Sequence, residues 1–420
     1  MRTLFISTMV PYPLNTGINQ RIYHLLRSVA SVSEVTFVAF LRNEAERGYV
    51  QHFQAITGGV HLIPPVEWGI GKLGAHSRPV VWARSLGRSL HPSLPYGVQW
   101  YRSNYARDLI ARLCGNNFDL IWAGGLPCVQ LLPAGLQERT VIDLADLEHR
   151  KAAYRLRRSA WCAGTPLQYL DYVKLKRMEQ GLLEKPYEYV VCSSIDKAVL
   201  GGSDRVWVVP NGVDIPETRS HSESRTVDAP VFVFVGLMNY DPNVDGICHF
   251  VNRIFPLILR QAPGAQLLIV GRDPVPAVNR LHNGRSIVVT GTVPTVAPYL
   301  ENATALIVPI RFGGGTRIKI LEAIAHRVPV VSTTIGAEGL DLRPGSHILI
   351  ADDLAGFAAA SLKLWREPEA AAQMARNAYD VVSPSYTWDS IGRKVQGIVN
   401  CERSRIEALT GVVMPDSRGA

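Results

Sequence analysis

The chain has 420 residues, 47% of them apolar and 19% charged, with a formal net charge of +8. It is therefore a soluble globular protein, too long for one ordinary core, for which two or three domains are expected. No run approaches the ~18 apolar residues of a membrane-spanning helix. The six cysteines (Cys114, Cys128, Cys162, Cys192, Cys248 and Cys401) include no C-x-x-C pair, which argues against a zinc site or a disulfide framework and for a cytoplasmic setting.

The opening "MRTLFISTMVPYPL" has an early arginine, as a signal peptide would. Its apolar run is short and interrupted, however, and no small-x-small cleavage site follows, so it reads as a first buried strand. Short apolar runs then alternate with helical patterns, the signature of parallel α/β sheets. Strands are expected at Thr3–Thr8, Val35–Phe40, Val60–Ile63, Asp119–Trp122, Thr140–Asp143, Tyr189–Ser193 and Val206–Val209. Helices are expected at Asn19–Ala30 and at Ala152–Leu183, the latter broken near Gly164–Pro166.

The basic excess lies wholly in this half: residues 1–210 hold 24 Lys+Arg against 16 Asp+Glu, and residues 211–420 hold 20 of each. It concentrates in Val66–Cys114, where Trp68, Trp82 and Trp100 stand among seven basic side chains, and in His149–Arg177. Tryptophan interleaved with basic residues suits an anionic membrane surface or a lipid-linked phosphate acceptor, and a peripheral place at the inner face of the cytoplasmic membrane. A solvated basic face is the equal alternative. No nucleic-acid motif appears, and no nucleic-acid partner is expected.

Residues 211–230 are polar, hold two prolines and lack periodicity, which marks a linker. It separates a first domain, residues 1–210, from a second, residues 231–384; a helix after about residue 385 is expected to pack back on the first domain. Residues 411–420 look frayed. The second series of strands is read at Val231–Val235, Gln266–Val270, Ser286–Thr290, Ala305–Val308, Val328–Thr333 and His347–Ile350. Two doubly wound domains facing across a cleft are expected, with ligands beyond the carboxyl ends of the strands.

Glycine-bearing loops follow several of these strands: "GLMNYDPN" with Gly236 and Asn239, "GRDP" with Arg272, and "GTVP" with Thr292. Asp241 is expected to cap a helix whose apolar face is Val244, Ile247, Val251 and Ile254. The strongest signal is "RFGGGTRIKILEAIAHRVPVV". Gly313, Gly314 and Gly315 precede a helix that Thr316 is expected to cap. Bare amides and a helix N-terminus attract anions. Arg317 and Lys319 are the wrong sign for that helix end, which makes sense beside a diphosphate. Glu322, further along, suits the ribose hydroxyls. The string is neither a P-loop nor G-x-G-x-x-G, and a glycine-rich turn before a solvent-facing helix is the bland alternative.

"LEAIAHRVPVVST", with "VVPNGVD" (Val208–Asp214), "FVGLMNYDPNVDG" (Phe234–Gly246), "QLLIVGRDP" (Gln266–Pro274), "VVTGTV" (Val288–Val293) and "GAEGL" (Gly336–Leu340), resembles retaining glycosyltransferase family 4, and its subgroup with G-G-G-T-R-x-K-x-L-E-A. The resemblance is strong over residues 206–345, moderate in "PYPLNTGINQRIYHLL" and weak between residues 64 and 185. It implies a GT-B fold of two Rossmann-like domains. It also implies sugar transfer from a nucleotide-diphosphate sugar to a hydroxyl acceptor (a saccharide, lipid-linked saccharide or small aglycone), with no cofactor and no metal. Glu322 would take the role of the second of two family glutamates, on the ribose. Gly17, in the turn before the first helix, would face the diphosphate, and Thr290–Val293 the base.

The departures are specific. Gly314 stands where the first glutamate is expected. The usual arginine and lysine are missing from "GLMNYDPN", which leaves Arg317 and Lys319 as the phosphate cations. "FDLIWAGG" replaces a motif that usually holds histidine, and Arg327 replaces a common glycine. On the acceptor side, "VIDLADLEHRK" places Asp146 and His149 just after a strand, where either is a candidate to orient or deprotonate a hydroxyl; capping of the next helix by Asp146 and Glu148 is the structural alternative. A nucleotide-sugar 2-epimerase and an inactive binding protein of the same fold are the rival readings.

Overall fold

The computed structural model describes residues 1–65, 87–115, 118–158, 164–216 and 228–411. It divides into two compact units, Met1–Pro210 with Gly392–Ala420, and Asn211–Ile391. Trp68, Trp82, most of the expected linker and the expected tail lie outside the described residues. Among the described residues no helix is long and apolar enough to cross a membrane.

In the first unit the strands are β1 (Arg2–Ser7), β2 (Glu34–Phe40), β3 (Gly59–Ile63), β4 (Leu120–Gly124), β5 (Thr140–Ala145), β6 (Glu188–Val191) and β7 (Val206–Val208). They form one parallel sheet in the order β3-β2-β1-β4-β5-β6-β7. Because helices cover both faces, central strands are buried along their whole length, and five of the six residues of β1 are buried. The order reverses between β1 and β4, so a crevice opens at their carboxyl ends. The helix Gly17–Ala30 follows β1, capped by Thr16, whose hydroxyl accepts from Asn19 N at 3.3 Å. Gly17 is thus the first helical residue, not a turn residue as expected, because the cap falls on Thr16.

One buried ion pair ties this helix to the sheet. Arg21 donates to both carboxylate oxygens of Asp143, at 3.1 and 2.7 Å, and to Val209 O at 2.8 Å. The expected break between helices falls where Pro166 opens a new one: the helices run Glu148–Arg158 and Thr165–Leu183. The last helix, Trp388–Thr410, contributes to this unit from Gly392 on; Gln396 bonds Ser31 at 2.8 Å and Arg403 the Val32 carbonyl at 2.6 Å.

The second unit holds β8 (Val231–Val235), β9 (Gln266–Val270), β10 (Ile287–Gly291), β11 (Ala305–Val308), β12 (Val330–Ser332) and β13 (Leu349–Ile350). They form a parallel sheet ordered β10-β9-β8-β11-β12-β13, which reverses between β8 and β11. Phe232, Phe234, Ile247, Leu267, Leu306, Ile320 and Phe357 are among its buried core. β12 is shorter than the apolar run because Val328 N bonds Ala323 O at 2.8 Å, closing the preceding helix.

Two helix expectations need correction. Asp241 does not cap: Tyr240 holds the N-cap position without a side-chain bond, and Asp241 is the first residue of the helix Asp241–His249. The expected apolar face also breaks, since Phe250–Ile254 is a π-turn leading into Phe255–Gln261. Pro256 supplies no N–H for the regular ladder there, and the extra residue per turn buries Phe250 beside Ile247 and Ile254.

Candidate functional site

At the reversal point of the second sheet, β8 ends at Val235 and the chain turns at Gly236. A Cβ on Gly236 would lie 2.6 Å from Asn243 Nδ2 and 3.0 Å from Lys319 Nζ, so only a bare backbone fits. Asn243 is buried; its Nδ2 donates to Leu237 O at 2.9 Å, and its Oδ1 accepts from Lys319 Nζ at 2.7 Å. The same ammonium stands 4.3 Å from the centroid of the Phe234 ring, a cation–π contact. Lys319 therefore delivers a positive charge to the end of β8, whose own loop has no basic residue. Gly271, at the end of β9, is pressed against this turn: a Cβ there would come within 1.8 Å of Gly236 O.

The glycine loop closes the other side. Arg317, only 8% exposed, donates from Nη1 to Gly314 O at 2.7 Å and from Nη2 to Gly313 O at 2.8 Å. Its charge stays at the loop, but its terminal nitrogens hold loop carbonyls. With those carbonyls tied down, and with φ of +110° at Gly313 and +83° at Gly315, the amides of Gly313, Gly314 and Gly315 donate no hydrogen bond among the described residues. Gly313 and Gly314 are buried. Buried unpaired amides are rare, and Gly313 lies against Pro242, the chain neighbour of the Asn243 that bonds Lys319: a Cβ on Gly313 would come within 3.1 Å of Pro242 Cγ. Thr316 does not cap the helix as expected: Ile318–Ala325 begins after Arg317, and no side chain caps it. Thr316 is fixed instead through its carbonyl, which accepts from Asn211 Nδ2 at 3.3 Å.

Glu322 lies one turn beyond Lys319 on the same helix; its carbonyl accepts from His326 N at 3.1 Å, and its carboxylate accepts no hydrogen bond among the described residues. Burial, with Asp214 adding to it, pushes its carboxyl up to about 7 against the opposing pull of Lys319. Burial and then Arg317 bring the Lys319 ammonium down to about 7, while Glu322 resists. Of the other expected contacts, Arg272 lies beside this turn, its carbonyl accepting from Met238 N at 2.9 Å and its buried Nε, without a hydrogen bond among the described residues, 3.8 Å from the Asp273 carboxylate. Asn239 and Thr292 are exposed in the turns after β8 and β10 and share no hydrogen bond with the cluster among the described residues. Gly17 belongs to the first unit. Asn243, Phe234, Asp214 and Asn211 were not singled out from sequence. Only Asn243 left a signal, as a poor helix former in a first helical turn.

In the first unit, Asp146 and His149 follow β5. Asp146 pairs with Lys151 at 3.0 Å, and Lys151 also bonds Glu148 at 2.9 Å. His149 Nδ1 bonds Glu179, whose other oxygen accepts from Glu148 N at 2.8 Å. The start of this helix is thus held by Glu179 from the neighbouring helix. Of the tryptophans in the basic segment, Trp100 is described, with the Arg88 guanidinium 3.8 Å over its ring.

Over its full length the chain resembles a sucrose-phosphate synthase from Thermosynechococcus elongatus, at 16% identity and a TM-score of 0.70, covering 96% of this chain and 100% of that one. It also resembles the Anabaena protein HepE, solved in complex with UDP-glucose, at 12% identity and a TM-score of 0.61, covering 96% and 100%. The fold is GT-B: two parallel-sheet α/β units. Within it, residues 229–367, all in the second unit, match the family described as glycosyl transferases group 1. An uncharacterised 44.6 kDa protein in the cps region of Klebsiella pneumoniae is 26% identical over 162 residues, covering 37% of this chain. The match spans 42% of that relative, less than half its length.

Proposed function

We propose that the protein is a retaining glycosyltransferase that moves a sugar from a nucleotide-diphosphate donor to a hydroxyl acceptor. The observation that carries this is the nest of three unpartnered glycine amides in the loop leading into the helix that holds Lys319. Such a nest suits a diphosphate, and the group 1 match of the same segment supports the reading. In this assignment Lys319 and the amides of Gly313–Gly315 neutralise the leaving diphosphate, which fits a metal-independent enzyme. Arg317 braces the loop. Glu322, with open acceptor oxygens, takes the ribose hydroxyls. The donor's own phosphate receives the acceptor proton on the reacting face, so the protein's task is to hold both substrates. Asp146 and His149 serve the acceptor, in the first unit.

One observation favours a second reading, a binding protein without turnover: Gly314 occupies the position of a family glutamate. Calorimetric titration with UDP, GDP and ADP, each against its nucleoside, tests the first reading. One nucleoside diphosphate should bind at least tenfold more tightly than its nucleoside, a difference of about 1.4 kcal/mol or more. Equal binding of the two would remove the glycine loop from the site. Tight binding with no release of nucleotide from any matching sugar donor would favour the second reading.

A further inference from the structure

Glu179 is a carboxylate buried to 1% side-chain exposure, and no arginine or lysine pairs with it among the described residues. Leaving a carboxylate in such a place is expensive unless its oxygens are hydrogen-bonded. Its partners are the Glu148 amide and the Nδ1 of His149. The imidazole itself is 15% exposed, and its Nε2 takes no hydrogen bond among the described residues. Both helices are fixed by packing, since Leu147, Ala152, Leu175 and Leu182 share one buried cluster. The pair sits past the carboxyl end of β5, one strand from the reversal between β1 and β4, where sheets of this type bind ligands.

We infer that Glu179 is a positioning residue: it holds the proton of neutral His149 on Nδ1 and presents a bare Nε2 to a hydroxyl of the acceptor. A saccharide offers several hydroxyls. Nε2 accepts from one beside the attacking oxygen, whose own proton remains available to the donor phosphate. The inference rests on the transfer reading for the acceptor, but not for the tautomer. The nearby charges, Asp146, Glu148 and Lys151, satisfy one another and leave the imidazole to Glu179.

Glu179→Gln separates this role from helix capping. The glutamine carbonyl still accepts from Glu148 N, while its NH2 donates to Nδ1 and moves the histidine proton to Nε2. The full chain is labelled with ¹⁵N-histidine, and two-bond proton–nitrogen spectra are recorded at mildly alkaline pH, with His149→Asn assigning the signal. The wild type should show Nε2 unprotonated, and Glu179→Gln should reverse this with an unchanged melting temperature. A protonated Nε2 in the wild type, or a spectrum indifferent to Glu179→Gln, overturns the inference even if the protein transfers no sugar. In turnover of UDP-glucose with methyl glucoside as acceptor probe, Glu179→Gln should raise the acceptor KM about tenfold, the loss of one hydrogen bond, with the donor KM unchanged. An unchanged acceptor KM also overturns it. A wild type that turns over no donor sinks the transfer reading, and the tautomer spectra still decide the role of Glu179.

Discussion

In the proposed reading Lys319 meets the donor diphosphate, and its environment sets a pH dependence. Burial and Arg317 hold its ammonium near 7 in the free protein, well below 10.5. A bound diphosphate stabilises the charged form, so binding draws a proton wherever the free lysine has lost one. The sign follows: affinity for the nucleoside diphosphate should be greatest below about 7 and fall as pH rises through that value, by up to tenfold per pH unit while Lys319 governs binding. Calorimetry in buffers of different ionisation enthalpy should detect proton uptake above neutrality, and Lys319→Met should abolish it. Affinity that stays flat from neutral to alkaline pH would mean that another group meets the phosphate. Glu322, raised to about 7, is linked to the same event, because a charged Lys319 favours its ionised form.

At the scale of elements, the site is an agreement between three loops. Gly236 O stands where a Cβ on Gly271 would be, and Gly271 has φ of +152°. Gly271→Ala must therefore move the ends of both β8 and β9, at a cost of about 3 kcal/mol or more, which lowers the melting temperature of a unit this size by roughly 10 °C. Thermal unfolding monitored by circular dichroism checks this; a variant as stable as the wild type would show that the two turns give way easily.

The sequence made these elements legible unevenly. Val231–Val235, Gln266–Val270 and Ala305–Val308 were read to the residue, because fully buried strands are continuous apolar runs bounded by glycine or proline. The glycine loop and Lys319 stand out as a local pattern, and their role as a phosphate site belongs to the proposed reading. The bracing of Gly313 and Gly314 by Arg317 was not legible, nor was the hold of Asn243 on Lys319, a pairing across 76 positions. Those depend on which way side chains turn after the sheet assembles. The π-turn was missed although Pro256 signals it, since period-3.6 counting passes over an inserted residue.

At the scale of the whole molecule, each unit has its own sheet and core, and the last helix returns its residues from Gly392 to the first. In that unit Arg21 links the first helix, β5 and the exit of β7 through one buried guanidinium. Arg21→Met would strand Asp143 without its partner and should cost about 3–5 kcal/mol. Chemical denaturation should register that loss, and a loss below about 1 kcal/mol would mean that solvent reaches Asp143. Glu179 is the first unit's counterpart of the Asn243 lesson: a residue 30 positions from His149, unread in sequence because a buried glutamate in a helix resembles any other until its partner is known.

The account stands or falls on the anion site proposed for the second unit, and a thermal-shift titration of the full chain with nucleoside diphosphates tests it most directly. One of UDP, GDP or ADP, present at about 100 times its dissociation constant, should stabilise the wild type by about 2.7 kcal/mol, and Lys319→Met should lose that gain while melting no earlier than the wild type without ligand. No shift with any nucleotide, or a shift that Lys319→Met retains in full, would contradict it.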